Sequence, residues 1–134
     1  MPAAESDQQG DGQLATAIST MVVRVLREHT GRGPTKSRTH LIDDLVSVVV
    51  QDILTRAERT LVAGGLTALV VSARKALHDA MRAELIAGVE ELTGRSVLAC
   101  FSDNVFDPDM TLQAFLLAPA AGASRSRSAR RAVA

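Results

Sequence analysis

The chain has 134 residues, of which 46% are hydrophobic but only three are phenylalanine and none is tryptophan or tyrosine, so we expect one globular domain with an aliphatic core. The formal net charge is zero, which argues against a nucleic-acid-binding core because such domains carry a marked basic excess. A single cysteine excludes an internal disulfide, and the chain shows neither a signal-peptide pattern nor an apolar run long enough to span a bilayer, so we expect a cytoplasmic protein.

Both ends of the chain lack hydrophobic periodicity. Residues 1–12 are polar and acidic, and residues 119–134 are an Ala/Ser/Arg run with four arginines. We therefore expect two disordered tails around one domain that spans residues 13–118. Nucleic acid or an anionic surface would bind only through the arginine-rich tail, and a solvated tail without a partner is the alternative.

The first predicted element is an amphipathic helix. Apolar residues recur at helical spacing from Leu14 to Leu26, and the sequence Gly31-Arg32-Gly33-Pro34 then ends the helix. A phosphate-binding glycine loop precedes a helix, whereas this one follows a helix. We interpret it as a cap and a turn, and the alternative is a ligand loop that presents Arg32.

The next element is predicted to be a β-hairpin. Residues 37–42 and 45–51 flank Asp43-Asp44, and the second run is rich in β-branched residues that suit a pleated sheet. A tight two-residue turn prefers Asn-Gly to Asp-Asp, so a loop that is one residue longer is the alternative.

Two helices are predicted to follow. Thr55 and Glu58 have the spacing of a capping box, which starts a short helix that ends at Gly64-Gly65. Apolar residues then recur at helical spacing up to Gly94, which predicts a helix about 40 Å long that crosses the domain. Its alanine face, made of Ala76, Ala80, Ala83 and Ala87, permits close contact with another subunit, and we expect a homodimer.

A second hairpin completes the chain. Residues 96–102 and 110–117 are strand-like, and the loop 103–109 between them is rich in turn formers. The order α-β-β-α-α-β-β predicts an α+β fold. Its four-stranded, mostly antiparallel sheet is built from two hairpins and covered on one face by the first helix and the long central helix.

Six residues are candidates for an anionic ligand or partner: Arg32, Arg74, His78, Arg82, Arg95 and Asp103. Arg74, His78 and Arg82 are four residues apart on the long helix, so they are predicted to share a stripe whose guanidiniums pair with carboxylate or phosphate. A solvated charged face is the alternative. If Arg74 is free, replacing it with alanine should weaken partner capture and leave the thermal midpoint nearly unchanged.

Neither a metal nor a cofactor is predicted. The three histidines fall on separate elements without zinc spacing. Asp103, Asp107 and Asp109 lack the spacing of a calcium loop. Cys100 is expected to be a small buried apolar residue.

Several segments, in this order and at this spacing, carry a family resemblance. They are Gly-Arg-Gly-Pro after the first helix, Leu54-Thr55-x-x-Glu58-x-x-Leu61, Arg74, Leu92-Thr93-Gly94-Arg95-x-Val97, Ser102-Asp103 and Phe115-x-Leu117. Together they resemble the MpsC-type domain, a small bacterial family named for a sodium-translocating, membrane-potential-generating system. The resemblance implies a soluble accessory or regulatory component whose protein partner belongs to a membrane ion-translocating system.

We therefore expect a non-catalytic binding or regulatory module. The alternative is a small enzyme that acts on an anionic or phosphorylated small molecule with Glu58 and Asp103 as acid and base. That alternative lacks an assembled nucleophile, base and orienting group in the sequence.

Overall fold

The computed structural model describes residues 2–120, and its elements follow the predicted order. They are helix α1 (Pro2–Thr30), strands β1 (Lys36–Ile42) and β2 (Leu45–Gln51), helices α2 (Arg56–Ala63) and α3 (Thr67–Thr93), and strands β3 (Val97–Phe106) and β4 (Asp109–Leu117). The predicted α+β class is confirmed, and α3 runs unbroken between its two glycine ends.

The four strands form one sheet in the order β1-β2-β4-β3, and every neighbouring pair is antiparallel. Helix α1 packs against β1, α3 packs against β3, and the two helices contact each other. They cover one face of the sheet and bury an aliphatic core around Phe115. Gly88 of α3 has no side chain to obstruct the Met21 thioether of α1, which fills the space where a β-carbon would lie.

The fold consists of two equivalent helix-strand-strand units. The first contains α1, β1 and β2, the second contains α3, β3 and β4, and β2 pairs with β4 at the centre of the sheet. Each helix ends in the sequence Thr-Gly-Arg, at residues 30–32 and 93–95, with the glycine in the left-handed region at φ +76° and +68°. Glycine adopts this conformation without the steric cost of a β-carbon.

Two local features differ from the sequence-based prediction. Helix α1 begins at Pro2, where a tail over residues 1–12 was predicted, and the Ala, Glu and Gln residues of that segment are good helix formers. Strand β3 continues to Phe106, so Asp103 lies on a strand rather than in a loop. The first hairpin has the predicted two-residue turn and not the alternative longer loop, with Asp43 at φ +54°, a conformation that aspartate tolerates. Residues 121–134 of the predicted C-terminal tail lie outside the described residues.

Candidate functional site: the groove between helix α3 and edge strand β3

A groove of about 380 Å³ lies between helix α3 and strand β3, which is the outer strand on that side of the sheet. It is lined from the helix by Lys75, His78, Asp79 and Arg82, and from the strand by residues 100–104. The structure thus brings together three of the six predicted site residues: His78, Arg82 and Asp103. We call this region the α3–β3 groove.

The rim of the α3–β3 groove carries unpaired charges. Lys75, Asp79 and Arg82 are exposed, and their side chains form no ion pair or hydrogen bond with any residue between 10 and 120. The helix side therefore presents two cations and one carboxylate that are free to meet a partner. Because this set includes both signs of charge, it matches a polypeptide with acidic and basic side chains better than it matches a purely anionic ligand.

The outer edge of β3 presents backbone hydrogen-bonding groups. The Asn104 N–H donates to the Asp103 carboxylate at 2.9 Å rather than to β4, so it points away from the sheet. In an antiparallel strand the N–H and C=O of one residue face the same side, and successive residues alternate. Ser102 and Asn104 therefore direct their backbone groups outward, and Asp103 shields one of them.

The floor of the groove contains polar atoms that lack partners. Gln113 donates from Nε2 to His78 Nδ1 at 3.2 Å, which leaves the imidazole proton on Nε2. His78 Nε2 and Ser102 Oγ are buried and have no hydrogen-bond partner among the described residues. Both residues line a cavity of about 10 Å³, close to the volume that holds one water. Leaving a buried polar group without a hydrogen bond lowers the free energy of unfolding by about 1–3 kcal/mol. We therefore expect these two atoms to bind a water or a ligand.

Burial controls the ionisation of the two titratable groups at this floor. Burial lowers the pKa of His78, an effect that the Arg82 charge reinforces and the Asp79 charge opposes. The imidazole is therefore neutral at pH 7. Burial also raises the pKa of the Cys100 thiol above its usual value, although Arg82 acts in the opposite direction. A protonated, buried thiol is a poor nucleophile, and Cys100 is the small core residue that the sequence predicted.

The first unit has an equivalent groove, between α1 and β1, with a volume of about 660 Å³. There Ser19 and Thr39 share a hydrogen bond of 2.6 Å that joins the helix directly to the strand. Arg24 pairs with Glu28 at 3.5 Å. The strand hydroxyl Thr39 of the α1–β1 groove thus has a partner on its helix, whereas Ser102 Oγ of the α3–β3 groove has none among the described residues, and for that reason we place the candidate site on the second unit.

Arg74 is not part of an accessible stripe, and the sequence-based expectation that it is free was wrong. Its side chain is only 4% exposed. It donates from Nε to Glu58 Oε2 at 2.6 Å and from Nη2 to both the other Glu58 oxygen and the Ile53 carbonyl, the latter at 2.8 Å. Four residues turn a helix by about 400°, so three residues at this spacing drift by about 80°. That drift leaves Arg74 facing the core and Arg82 facing solvent.

Arg32 and Arg95 also have structural partners, in matching positions of the two units. Arg32 donates from Nε to the Asp52 carbonyl at 2.9 Å, just beyond the end of β2. Arg95 donates from Nε to the Ala118 carbonyl at 2.8 Å, just beyond the end of β4, and also pairs with Asp44. Each arginine thus ties the end of its own unit's helix to the end of its second strand. The Gly-Arg-Gly-Pro segment is a helix cap and turn, as the sequence predicted.

Glu58 is committed to structure rather than to acid–base chemistry. Its carboxylate accepts the Thr55 N–H at 2.9 Å while its own N–H donates to Thr55 Oγ1 at 3.2 Å, which confirms the predicted capping box. Burial alone would raise the pKa of Glu58, but hydrogen bonds from Arg74 and Thr55, together with the Arg74 charge, outweigh it and hold the pKa below its usual value. No cluster of three potential metal ligands occurs within the described part of the chain.

Comparison with known families decides the affiliation of the chain. A family model described as Na+-translocating membrane potential-generating system (MpsC) matches residues 10–119, which is most of the chain. The chain belongs to the MpsC family. Searches of curated proteins and of solved structures found no match.

The MpsC match includes both helix-strand-strand units and the whole α3–β3 groove. In residues 2–120 of this MpsC chain, none of the helices combines the length and the apolar character needed to cross a membrane. Family membership and the resemblance seen in the sequence thus agree.

Several residues in or beneath the groove of this MpsC chain were not predicted as site residues from the sequence. They include Lys75, Asp79, Ser102 and Gln113. One signal was available for Gln113, because it alternates with Phe115 and Leu117 in β4 and is 1% exposed like them. A polar residue on the buried side of a strand marks a position that needs a hydrogen-bond partner.

Proposed function

We propose that this MpsC-family chain is a non-catalytic binding module of a membrane-potential-generating, sodium-translocating system, and that it holds an extended segment of a partner protein along strand β3. The observation that carries the proposal is the outer edge of β3, where free backbone groups lie beside a groove with unpaired charges.

The backbone of β3 supports strand addition. The strand has ten residues, the longest run in the sheet, and it pairs on one side only, with β4. An unpaired edge is a template for another strand, and the main-chain hydrogen bonds of such an addition supply much of the affinity. The Asp103 carboxylate protects the Asn104 N–H in the free protein, and an incoming carbonyl would replace it.

The side chains of the α3–β3 groove would supply specificity. In an added strand alternate side chains point to the same face, so every second residue of the partner would face helix α3. There it would meet Lys75, Asp79 and Arg82, whose order along the helix favours acidic, basic and acidic partner residues. His78 Nε2 and Ser102 Oγ are buried beside a cavity of about 10 Å³, so a water rather than a side chain of the partner would complete their hydrogen bonds.

The enzyme alternative has little support. Glu58 is held by its helix cap and by Arg74, and it does not line the α3–β3 groove. Asp103 lines the groove, but the thiol and imidazole nearest to it are buried, and one of its carboxylate oxygens accepts the Asn104 N–H. No nucleophile, base and orienting group come together within the described residues of the groove.

The test of the groove is capture from solubilised membranes of the native host with the full chain as bait. We expect the wild type to retain a component of the sodium-translocating membrane system. Reversing both groove cations in the variant Lys75→Glu/Arg82→Glu should reduce that capture at least tenfold. Arg59→Glu is the matched control, because Arg59 is exposed on α2 outside the groove. Equal capture by the groove variant, or no capture by the wild type, would contradict the proposal.

The test of strand addition is a pair of substitutions at Asn104. Asn104→Pro removes the outward N–H without removing a ladder hydrogen bond to β4, and proline is tolerated at such edge positions. Asn104→Ala loses the same side-chain contact to Thr111 but keeps the N–H. We expect capture to fall with proline and to persist with alanine. Circular dichroism should show a folded protein for both, and equal capture by the two variants would count against strand pairing.

A further inference from the structure

The face of the sheet opposite the helices is apolar, and no described element packs on it. Its five large exposed hydrophobic side chains are 42–65% accessible, and we call their surface the open face: Ile42, Leu45, Phe101, Val105 and Leu112. These side chains share one face of the sheet with polar and charged residues at its edges, and exposed apolar patches with a polar rim mark interaction sites.

Strand register arranges the open face as four rows that cross the sheet from β1 to β3. In order they are Ile42-Leu45-Leu116-Ala99, His40-Ser47-Ala114-Phe101, Arg38-Val49-Leu112-Asp103 and Lys36-Gln51-Met110-Val105. The middle of the first three rows is apolar or small, and the fourth contains Gln51 beside Met110. The third row has a cation at one edge and a carboxylate at the other, and the fourth has a cation, Lys36, at the β1 edge.

We infer that the open face is the contact between two copies of this chain, which pack sheet on sheet about a two-fold axis parallel to the strands. This interaction goes beyond the binding of a partner at the α3–β3 groove. With strands about 4.8 Å apart and about 3.4 Å per residue, four strands of seven paired residues present a plane of about 450 Å². Two such planes bury about 900 Å² before the relief of the side chains is counted, which is close to the lower limit of roughly 1,000 Å² for a specific interface.

Charge complementarity selects both the second copy and the direction of the axis. An axis parallel to the strands places β1 over β3 of the partner at the same row, so Arg38 faces Asp103 of the partner and the pair occurs twice. An axis across the strands would instead place the third row over the second, with Arg38 over His40 and Asp103 over Phe101. Of the two axes, only the parallel one gives Arg38 and Asp103 opposite partners, while Lys36 lies over Val105 of the second copy at the edge of the contact.

Two alternatives are less well supported: residues 121–134 as a cover for the open face, and the alanine face of α3 as the dimer contact. Residues 121–134 are mostly alanine, serine and arginine, which lack the large apolar side chains needed to cover this face. The alanine face of α3, on which the sequence-based dimer prediction rested, is exposed, but its methyl groups offer much less apolar surface than the large side chains of the open face. The α3–β3 groove shares Phe101 and Asp103 with the open face, but its helix residues Lys75, Asp79 and Arg82 lie outside the dimer contact.

The first test is the molar mass of the full chain by multi-angle light scattering after size exclusion at about 100 μM. We expect twice the chain mass of 14.2 kDa. Leu112→Arg, at the centre of the open face, should give a monomer with an unchanged circular dichroism spectrum. Ala80→Arg, on the alanine face of α3, should remain a dimer. A monomeric wild type, or a dimer broken by Ala80→Arg but not by Leu112→Arg, would overturn the inference.

The second test uses charge reversal and fixes the orientation. Arg38→Glu and Asp103→Arg, each alone, place two like-charged pairs in the interface, and each should raise the dissociation constant of the dimer at least about tenfold. The double variant Arg38→Glu/Asp103→Arg restores opposite charges and should return to within about threefold of the wild type. Sedimentation equilibrium measures all four proteins, and failure of the double variant to recover would refute the parallel two-fold axis.

Discussion

The buried pair between Arg74 and Glu58 should dominate the stability of the α2–α3 corner. In Arg74→Ala the Glu58 carboxylate loses its cation and the Ile53 carbonyl loses a donor. Breaking a buried ion pair by removing one partner costs about 3–5 kcal/mol. Glu58 keeps 17% of its side-chain surface exposed, so water offsets part of the loss and we expect about 3 kcal/mol. For a domain of this size that lowers the thermal midpoint by about 10 °C.

The assay is urea unfolding followed by circular dichroism at pH 7. Arg59→Ala, on the exposed side of α2, is the matched control and should change the free energy of unfolding by less than about 0.5 kcal/mol. Glu58→Gln and the double variant complete a cycle, in which the two side chains should couple by about 2 kcal/mol. A loss below about 1 kcal/mol in Arg74→Ala would refute the reasoning and restore the sequence-based expectation of a free arginine.

Acid should weaken the same pair. The folded pKa of Glu58 lies below its ordinary value of 4.5, so the folded chain binds this proton more weakly than the unfolded chain does. The pair therefore contributes its full stability above about pH 4.5 and loses it as pH falls through the folded pKa. The difference in unfolding free energy between the wild type and Arg74→Ala should accordingly narrow in acid.

Two further predictions concern His78 and the helix cap. Because the folded pKa of His78 lies below 6.5, the unfolded chain gains the proton first, and stability falls as pH drops from 6.5 toward the folded pKa. His78→Gln should flatten urea-derived unfolding free energies between pH 7 and 5, and an identical slope in the variant would contradict this. Gly94→Ala forces alanine to φ +68° and should cost about 1 kcal/mol. Gly64→Ala, at φ −84°, should have little effect on the thermal midpoint, and equal midpoints for the two variants would contradict the argument.

The fold was predictable because its elements carry local signals. The apolar periodicity of the first and central helices, the β-branched run of β2 and the Thr55–Glu58 capping box each depend on residues close in sequence. Local patterns of this type survive into the structure when they agree with the tertiary packing. The end of β3 was missed because Asp103 and Asn104 resemble turn residues, although their pairing with Leu112 and Thr111 keeps them in the strand.

The candidate site was less predictable because it depends on contacts between distant segments. Arg74 and Glu58 are 16 residues apart. The capping box alone accounted for the presence of Glu58, so no local pattern indicated that Arg74 is its second partner. The repeated Thr-Gly-Arg was visible in the sequence, but its meaning depends on carbonyls about 20 residues further on, at Asp52 and Ala118. The spacing of Arg74, His78 and Arg82 on the helix therefore identified polar residues with specific environments. It did not show which of them face the core and which face solvent.

The difference between the two units explains why function should lie on the second. Both units share a helix, a Thr-Gly-Arg cap and a hairpin, so the requirements of folding are met in the same way twice. In the first unit, a hydrogen bond between the Ser19 and Thr39 hydroxyls satisfies both groups between the helix and the edge strand. In the second, His78 Nε2 and Ser102 Oγ have no protein partner among the described residues, and the cavity of about 10 Å³ beside them has room for one water. Within residues 10–120 the second unit also leaves Lys75, Asp79 and Arg82 without ion pairs beside β3, so these exposed charges, rather than the buried atoms, favour a binding partner on the second unit.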